Sequence, residues 1–388
     1  MRSVAFAAAV ASAVAAGATG AATGGALPSI VHIMGDDVGW NDLGYHNELI
    51  ASPWIDKLAL GGVRLTNHHA FKVCAPSRSG FHTGRLPWQM GYYDNSGAAT
   101  PWETVDANKL GADTRFKLLP QLLEAKGYVS HAIGKWHLGG ATRAYTPTYR
   151  GYSTFLGYYH AMTEDYWAHT HSTGSGCAGP GLANLWSDMS NNTGTSLSIS
   201  PDNGTYESIL FGDHAVRTIA NHARTAPSRP LFMYMAFHNE HDPHQAPRGD
   251  IDKLESVIRS DTYKVTAAQI ATMDLQIGRI YTALQESKML ENAIISFSSD
   301  NGGPLDHANN WPHRGDHDRL QTAVLTGLRV HTDGAVFQAA SMVSTKAESA
   351  RRRSSGGPRC PRPRSAPSTM ASPTSATGEP RTRWAWPG

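Results

Sequence analysis

Residues 29–37 read Ser-Ile-Val-His-Ile-Met-Gly-Asp-Asp, a short run rich in β-branched residues that stops at a glycine and two carboxylates. The same pattern recurs along the chain. Tyr128 to Ile133 reads as a strand, followed by Lys135-Trp136-His137. Leu231 to Phe237 is almost continuously apolar, as in a strand covered on both faces, and His238 to His244 follow it. Ala293 to Phe297 is a further strand, ending in Ser298-Ser299-Asp300-Asn301-Gly302-Gly303. Helical signals lie between these runs. Phe116 to Lys126 places Leu118, Leu119, Leu122 and Leu123 on one side, with Gly127 as the stop. Tyr206 to Arg224 reads as a helix, and Ile270, Met273, Ile277, Ile280 and Leu284 follow amphipathic helical spacing. Strands separated by helices predict an α/β fold, a mostly parallel sheet with helices on both faces. Ligands gather at the carboxyl ends of such strands, where the polar clusters stand here.

With 388 residues, 17% charged and 40% apolar, the chain can bury a large core, which excludes a disordered protein, a collagen-like fibre or a disulfide-dense mini-domain. Three cysteines, Cys74, Cys177 and Cys360, leave at least one thiol unpaired. Charge is unevenly spread. Residues 346–388 hold nine Lys/Arg and two acidic residues, so a total of +2 leaves the first 345 residues at −5. That acidic body does not indicate a nucleic-acid partner. Residues 1–25 read as a signal peptide: Arg2, an alanine-rich apolar run and small residues beyond it. The run is too short for a stable membrane anchor. Two glycosylation triplets, Asn191-Asn192-Thr193 and Asn203-Gly204-Thr205, agree with export. Residues 26–330 form the expected main folded domain. Residues 331–388 read as an atypical tail, disordered or mis-framed, because the stretch from Lys346 has no Leu, Ile, Val or Phe with which to build a core.

Asp36-Asp37 and Asp300-Asn301 stand after two different strands. Either pair alone would read as a helix cap or a solvated end. Together at equivalent sheet positions they make an oxygen-rich set suited to Ca²⁺ or Mg²⁺. Cys74-Ala75-Pro76-Ser77-Arg78 precedes a helix expected over Pro76 to Gly84. A cysteine at a helix N-terminus, with a cation one turn on, suits a nucleophile that faces an anion. Alone it would read as a small buried cysteine. His238 and His244 read as solvated loop residues, and His68 and His69 receive no role.

The stretch from Cys74 to Arg85 (Cys-Ala-Pro-Ser-Arg, four residues, Thr-Gly-Arg) resembles the type I sulfatase motif. Gly35-Asp36-Asp37-Val38-Gly39-Trp40, Gly134-Lys135-Trp136-His137-Leu138-Gly139, His241-Asp242-Pro243 and Ser299-Asp300-Asn301-Gly302-Gly303 agree in order. Gly151-Tyr152 and Asn309-Asn310-Trp311-Pro312 resemble the arylsulfatase B group. The resemblance covers about residues 29 to 315. It implies an alkaline-phosphatase-like α/β/α sandwich and hydrolysis of a sulfate ester, on an N-acetylgalactosamine 4-sulfate-like sugar or an aryl sulfate. It implies that a formylglycine-generating enzyme oxidises Cys74 in the secretory pathway, for a secreted or lysosomal product, and that the hydrated formylglycine is the nucleophile. By the same resemblance Asp36, Asp37, Cys74, Asp300 and Asn301 hold Ca²⁺. Arg78 and His137 hold the nucleophile, Lys135 and His241 bind sulfate, and His241 protonates the leaving oxygen. One departure stands out. Family members carry a lysine after Arg-Gly, whereas Arg314-Gly315 is followed by Asp316-His317-Asp318, and no lysine occurs between Lys288 and Lys346. The family's small C-terminal antiparallel domain is also not recognisable. These differences predict a weakened hydrolase and keep open a second reading, a catalytically impaired sulfatase-like protein that binds sulfated glycans.

Overall fold

The computed structural model describes residues 26–90, 111–140, 142–171, 186–187, 189–202, 204–313 and 325–330. The expected signal peptide, Asn203, Cys177, Cys360, the Arg314–Asp318 departure and the expected tail lie outside these residues. Ten strands are described: β1 (Ser29–Asp36), β2 (Val63–Leu65), β3 (Val129–Lys135), β4 (Thr154–Tyr158), β5 (Thr170–His171), β6 (Trp186–Ser187), β7 (Ser190–Thr193), β8 (Leu231–Glu240), β9 (Ala293–Ser299) and β10 (Leu325–Val330). The described α-helices are α1 (Pro53–Gly61), α2 (Cys74–Thr83), α3 (Leu119–Glu124), α4 (Glu207–Thr225), α5 (Arg248–Asp252) and α6 (Asp261–Glu286).

Eight strands form one sheet in the order β2-β10-β9-β1-β8-β3-β4-β7. The five central strands, β9, β1, β8, β3 and β4, are mutually parallel. Antiparallel pairing is confined to the two sides of the sheet, where β10 meets β9 and β2, and β7 meets β4. Strand β8 shows why the sheet must be covered twice. Leu231, Met233, Met235 and Phe237 enter one apolar cluster with Leu210, Phe211 and Ile219 of α4 and Ile270, Met273 and Ile277 of α6. Phe232, Tyr234 and Ala236 enter the opposite cluster, with Leu118, Leu123, Trp136 and Tyr152. Alternate residues of one strand point to opposite faces, so each face needs its own cover. Full burial contributes roughly 1.5–3 kcal/mol per large apolar side chain. The result is the expected α/β/α arrangement.

Three elements depart from the expected bounds. Helix α3 is limited to Leu119–Glu124 because Pro120 has no N–H and fits only in a first turn; Leu122 is largely exposed. Helix α2 starts at Cys74, two residues early, with Pro76 still inside the first turn, where backbone N–H groups lack intrahelical partners. It stops where expected: Gly84 takes the left-handed conformation at φ 64° and returns its N–H to the Gly80 carbonyl. Helix α6 runs for 26 residues and buries much more than one stripe, including Gln269, Asp274 and Gln276. Asp274 is used at the N-terminus of α1, where its carboxylate accepts the N–H groups of Trp54 and Ile55, the latter at 2.7 Å. One helix thus caps another, as a local Ser or Asp would do.

Candidate active site

The carboxyl ends of β1, β3, β8 and β9 converge on the first turn of α2. Strand β1 delivers Asp36 and, just past its end, Asp37 at φ 61°, a left-handed conformation rare for a residue with a side chain. Strand β3 delivers Lys135. Gly134 before it sits at φ 99°, and a Cβ there would fall 1.8 Å from the Ala236 carbonyl oxygen of β8. Only glycine allows that approach. His137 follows, also left-handed at φ 52°. The loop after β8 brings His241, and the loop after β9 brings Asp300 and Asn301.

Asp36, Arg78, Lys135, Asp300 and Asn301 are completely buried, and Asp37, Cys74 and His137 almost so. Lys135 Nζ lies 2.5 Å from Asp36 Oδ2. Arg78 spreads its guanidinium: Nε donates to Asp300 Oδ2 at 3.0 Å, and Nη1 donates to the Lys135 carbonyl at 3.1 Å and to the Tyr234 hydroxyl at 3.2 Å. Its Nη2 lies 2.8 Å from Asp300 Oδ2 and 3.5 Å from Asp36 Oδ1. The Cys74 thiol donates to Asp36 Oδ1 at 3.4 Å. The Asp37 N–H donates to Asp300 Oδ1 at 3.2 Å, and the Asn301 amide donates to Asp37 Oδ1. His241 Nε2 stands 3.6 Å from Asp37 Oδ2, with Nδ1 2.9 Å from the Asp242 carbonyl.

Burial would raise the Asp36 carboxyl, but the neighbouring Lys135, with His241 and Arg78, outweighs it and holds Asp36 well below the usual carboxylate range. Asp300 goes the other way: burial, then the Asp36 charge, raise it to about 7 against the pull of Arg78 and Lys135. Burial, with Asp300 and Asp36 adding to it, pushes the Cys74 thiol up, so an unmodified Cys74 is a poor thiolate. Burial first, then Lys135 and Arg78, keep the His137 imidazole neutral.

These residues fit a hard divalent cation. One ligand atom from each of Asp36, Asp37, Cys74 and His241 lies within 4.8 Å of the others, and Asp300 and Asn301 are tied to the same group through Asp37. The Asn301 Oδ1 oxygen is buried with no donor. The carboxyl groups of Asp36, Asp37 and Asp300 crowd one buried cluster with the cations Lys135 and Arg78, and the Asp36 charge helps to raise Asp300. A carbonyl oxygen without a donor and crowded carboxyl groups are what an oxygen-preferring cation would satisfy.

Two neighbours of the site correct the sequence reading and a third extends it. His238 is not a solvated loop residue: it lies inside β8, fully buried, stacked on Tyr166 at 4.5 Å and 3.4 Å from Glu207. The ten-residue strand continues through it because Tyr166 and α4 close over the end of the sheet. His244 is half-buried rather than solvated, because it packs against His307. Tyr234 is outside the expected set. Its hydroxyl supports Arg78 from the middle of β8, and its place in an apolar run gives no local sign of that contact.

Residues 28–331 match the family model described as Sulfatase, and the chain belongs to the sulfatase family, in its type I branch. It is 35% identical over 289 residues to arylsulfatase J of Mus musculus, a match covering 74% of this chain and 45% of that protein. It is 30% identical over 285 residues to N-acetylgalactosamine-6-sulfatase of Homo sapiens, covering 72% and 50%. The crystal structure of Ps i-CgsB is similar with a TM-score of 0.65 at 25% identity, covering 78% of this chain and 66% of that one. The fold is alkaline-phosphatase-like. The chain spans about half the length of the curated relatives it matches.

Proposed function

We propose that this chain hydrolyses sulfate esters, with a sulfated sugar as the natural substrate class. One observation carries the reading: Cys74 opens α2 directly against Asp36, and the buried cations Lys135 and Arg78 meet at the same carboxylates. Both relatives are named as sulfatases, and one name specifies an N-acetylgalactosamine sulfate. The relatives therefore support a sulfated hexosamine but not the choice between its 4- and 6-positions.

Asp36, Asp37, Asp300 and Asn301 would hold Ca²⁺, whose positive charge would lower the cost of bringing a sulfate group into the cluster. Formylglycine made from Cys74 would supply, as its hydrate, an oxygen nucleophile that the depressed acidity of the thiol denies to cysteine itself. The remaining work falls to side chains already in place. Lys135 and Arg78 neutralise sulfate oxygens without reorganising, since both are fixed by buried partners. The neutral, buried His137 would orient the group at position 74. His241 is partly exposed, so it is the member of the set that a leaving alcohol can reach, and it would hold the proton which that oxygen takes. Conversion of Cys74 would occur on the secretory route. Among the described residues no helix is long and apolar enough to cross a membrane.

Binding of sulfated glycans without turnover is the second reading. The absence of any lysine between Lys288 and Lys346 favours it. One experiment separates the two. The chain is co-expressed with a formylglycine-generating enzyme, the mass of the Cys74 peptide is measured, and hydrolysis of an aryl sulfate is followed. Conversion with turnover supports the enzyme. Complete conversion without turnover, together with retention on a sulfated-glycan resin, supports the binding protein.

A further inference from the structure

Beside the site, on its open side, a second group of side chains converges. One ligand atom from each of Asp242, His244 and His307 lies within 4.8 Å of the other two. The two imidazoles meet edge to face, with ring centroids 3.7 Å apart, and His244 Nε2 lies 3.5 Å from Asp242 Oδ1. His307 is only 4% exposed, yet its Nε2 has no hydrogen-bond partner. A buried ring nitrogen left without a partner is costly unless something else satisfies it. The His307 Nδ1 is likewise without a hydrogen-bond partner, although Asp306 Oδ1 lies 2.8 Å away, and His244 Nε2 is a third unpartnered ring nitrogen in the group. Thr266 is not a member of the cluster but donates its hydroxyl to the His307 carbonyl at 3.0 Å, which pins that backbone against α6.

We propose that Asp242, His244 and His307 form a second metal site, selective for a borderline transition cation of the Zn²⁺ class. Two imidazole nitrogens and one carboxylate oxygen suit such an ion, whereas the carboxylate and amide oxygens of Asp36, Asp37, Asp300 and Asn301 suit Ca²⁺. Three protein ligands leave a coordination position open. The Asp242 side chain is 57% exposed, so that position faces solvent. His241 precedes Asp242 and touches its carbonyl, so an ion here holds the loop that carries His241 into the neighbouring site.

The test uses the whole chain, saturated first with Ca²⁺ and then titrated calorimetrically with Zn²⁺. The parent and a Cys74→Ala variant should each bind one Zn²⁺. His244→Leu and His307→Gln should each weaken that binding at least about tenfold. Because His307 is buried, its variant is scored only if its circular dichroism is parental; His244→Leu, at a half-buried position, decides the matter otherwise. Substitution with Co²⁺ should give ligand-field bands without a thiolate charge-transfer band. Parental Zn²⁺ affinity in His244→Leu, loss of binding in Cys74→Ala, a thiolate band with Co²⁺, or no Zn²⁺ bound by the parent would each overturn the assignment.

Discussion

The two ends of the same parallel strands are built by opposite rules. At the amino ends of β1, β3, β8 and β9 lies a cavity of about 460 Å³, lined by Ser29, Lys126, Gly127, Arg229 and Asn292 among others. Its charges face solvent or neutral carbonyls: exposed Arg229 donates from Nε to Gly127 O at 2.9 Å and from Nη2 to Tyr128 O at 3.0 Å. At the carboxyl ends, Asp36, Arg78, Lys135 and Asp300 are all without solvent contact. Burying an ion costs several kcal/mol even after relaxation, so stability does not explain four of them in one place. A preorganised site for a charged ligand does.

If that contrast is right, substitutions at the two ends should differ in kind. The largest effect is expected from Asp300→Ala with calcium present. It strips Arg78 of its closest buried partner, a loss on the order of 3–5 kcal/mol. Calorimetry should show no calcium-dependent rise in Tm, and a parental calcium response would place the cation elsewhere. Arg78→Lys keeps the charge but cannot reach Asp300, the Lys135 carbonyl and Tyr234 together. With position 74 converted, aryl-sulfate turnover should fall about 10²–10³-fold while circular dichroism stays parental. Turnover close to the parent's would reduce Arg78 to packing.

A third experiment sharpens the contrast from inside the core. Burial raises the Asp274 carboxyl from an ordinary 3.8 to about 7, despite the N–H groups of Ile55 and Trp54 that it accepts. A carboxyl raised by folding binds more protons folded than unfolded between those values, so its contribution to stability falls as pH rises through that window. Denaturant titrations from pH 4 to pH 7 should therefore show the parent losing stability relative to Asp274→Asn, by roughly 1–2 kcal/mol after allowance for partial solvent access. Parallel pH profiles would mean that the amide contacts fully offset burial. The smallest effect belongs to the amino end. Arg229→Ala should cost about 1 kcal/mol and leave turnover unchanged, as read by urea midpoint and the aryl-sulfate assay. A turnover defect there would break the division between the ends.

Much of the fold is written in local pattern. The continuous apolar run of β8, the glycine stop of α2 and the apolar faces of α4 and α6 are set by residues near in sequence, so the amino-acid order alone makes them legible. The polar residues that end each strand are equally legible, because a parallel sheet places strand ends together whatever the connections. Which of those residues meet is another matter. Asp36 takes Lys135, Asp300 takes Arg78, and Tyr234 reaches Arg78 from within an apolar run. Asp274 caps a helix 220 residues away, His238 is buried by Tyr166, and His244 finds His307. These pairings depend on strand order and register, which bring distant segments within a few ångströms. Periodicity reports only which side of an element is covered, not what covers it, so those contacts were decided by the tertiary structure alone.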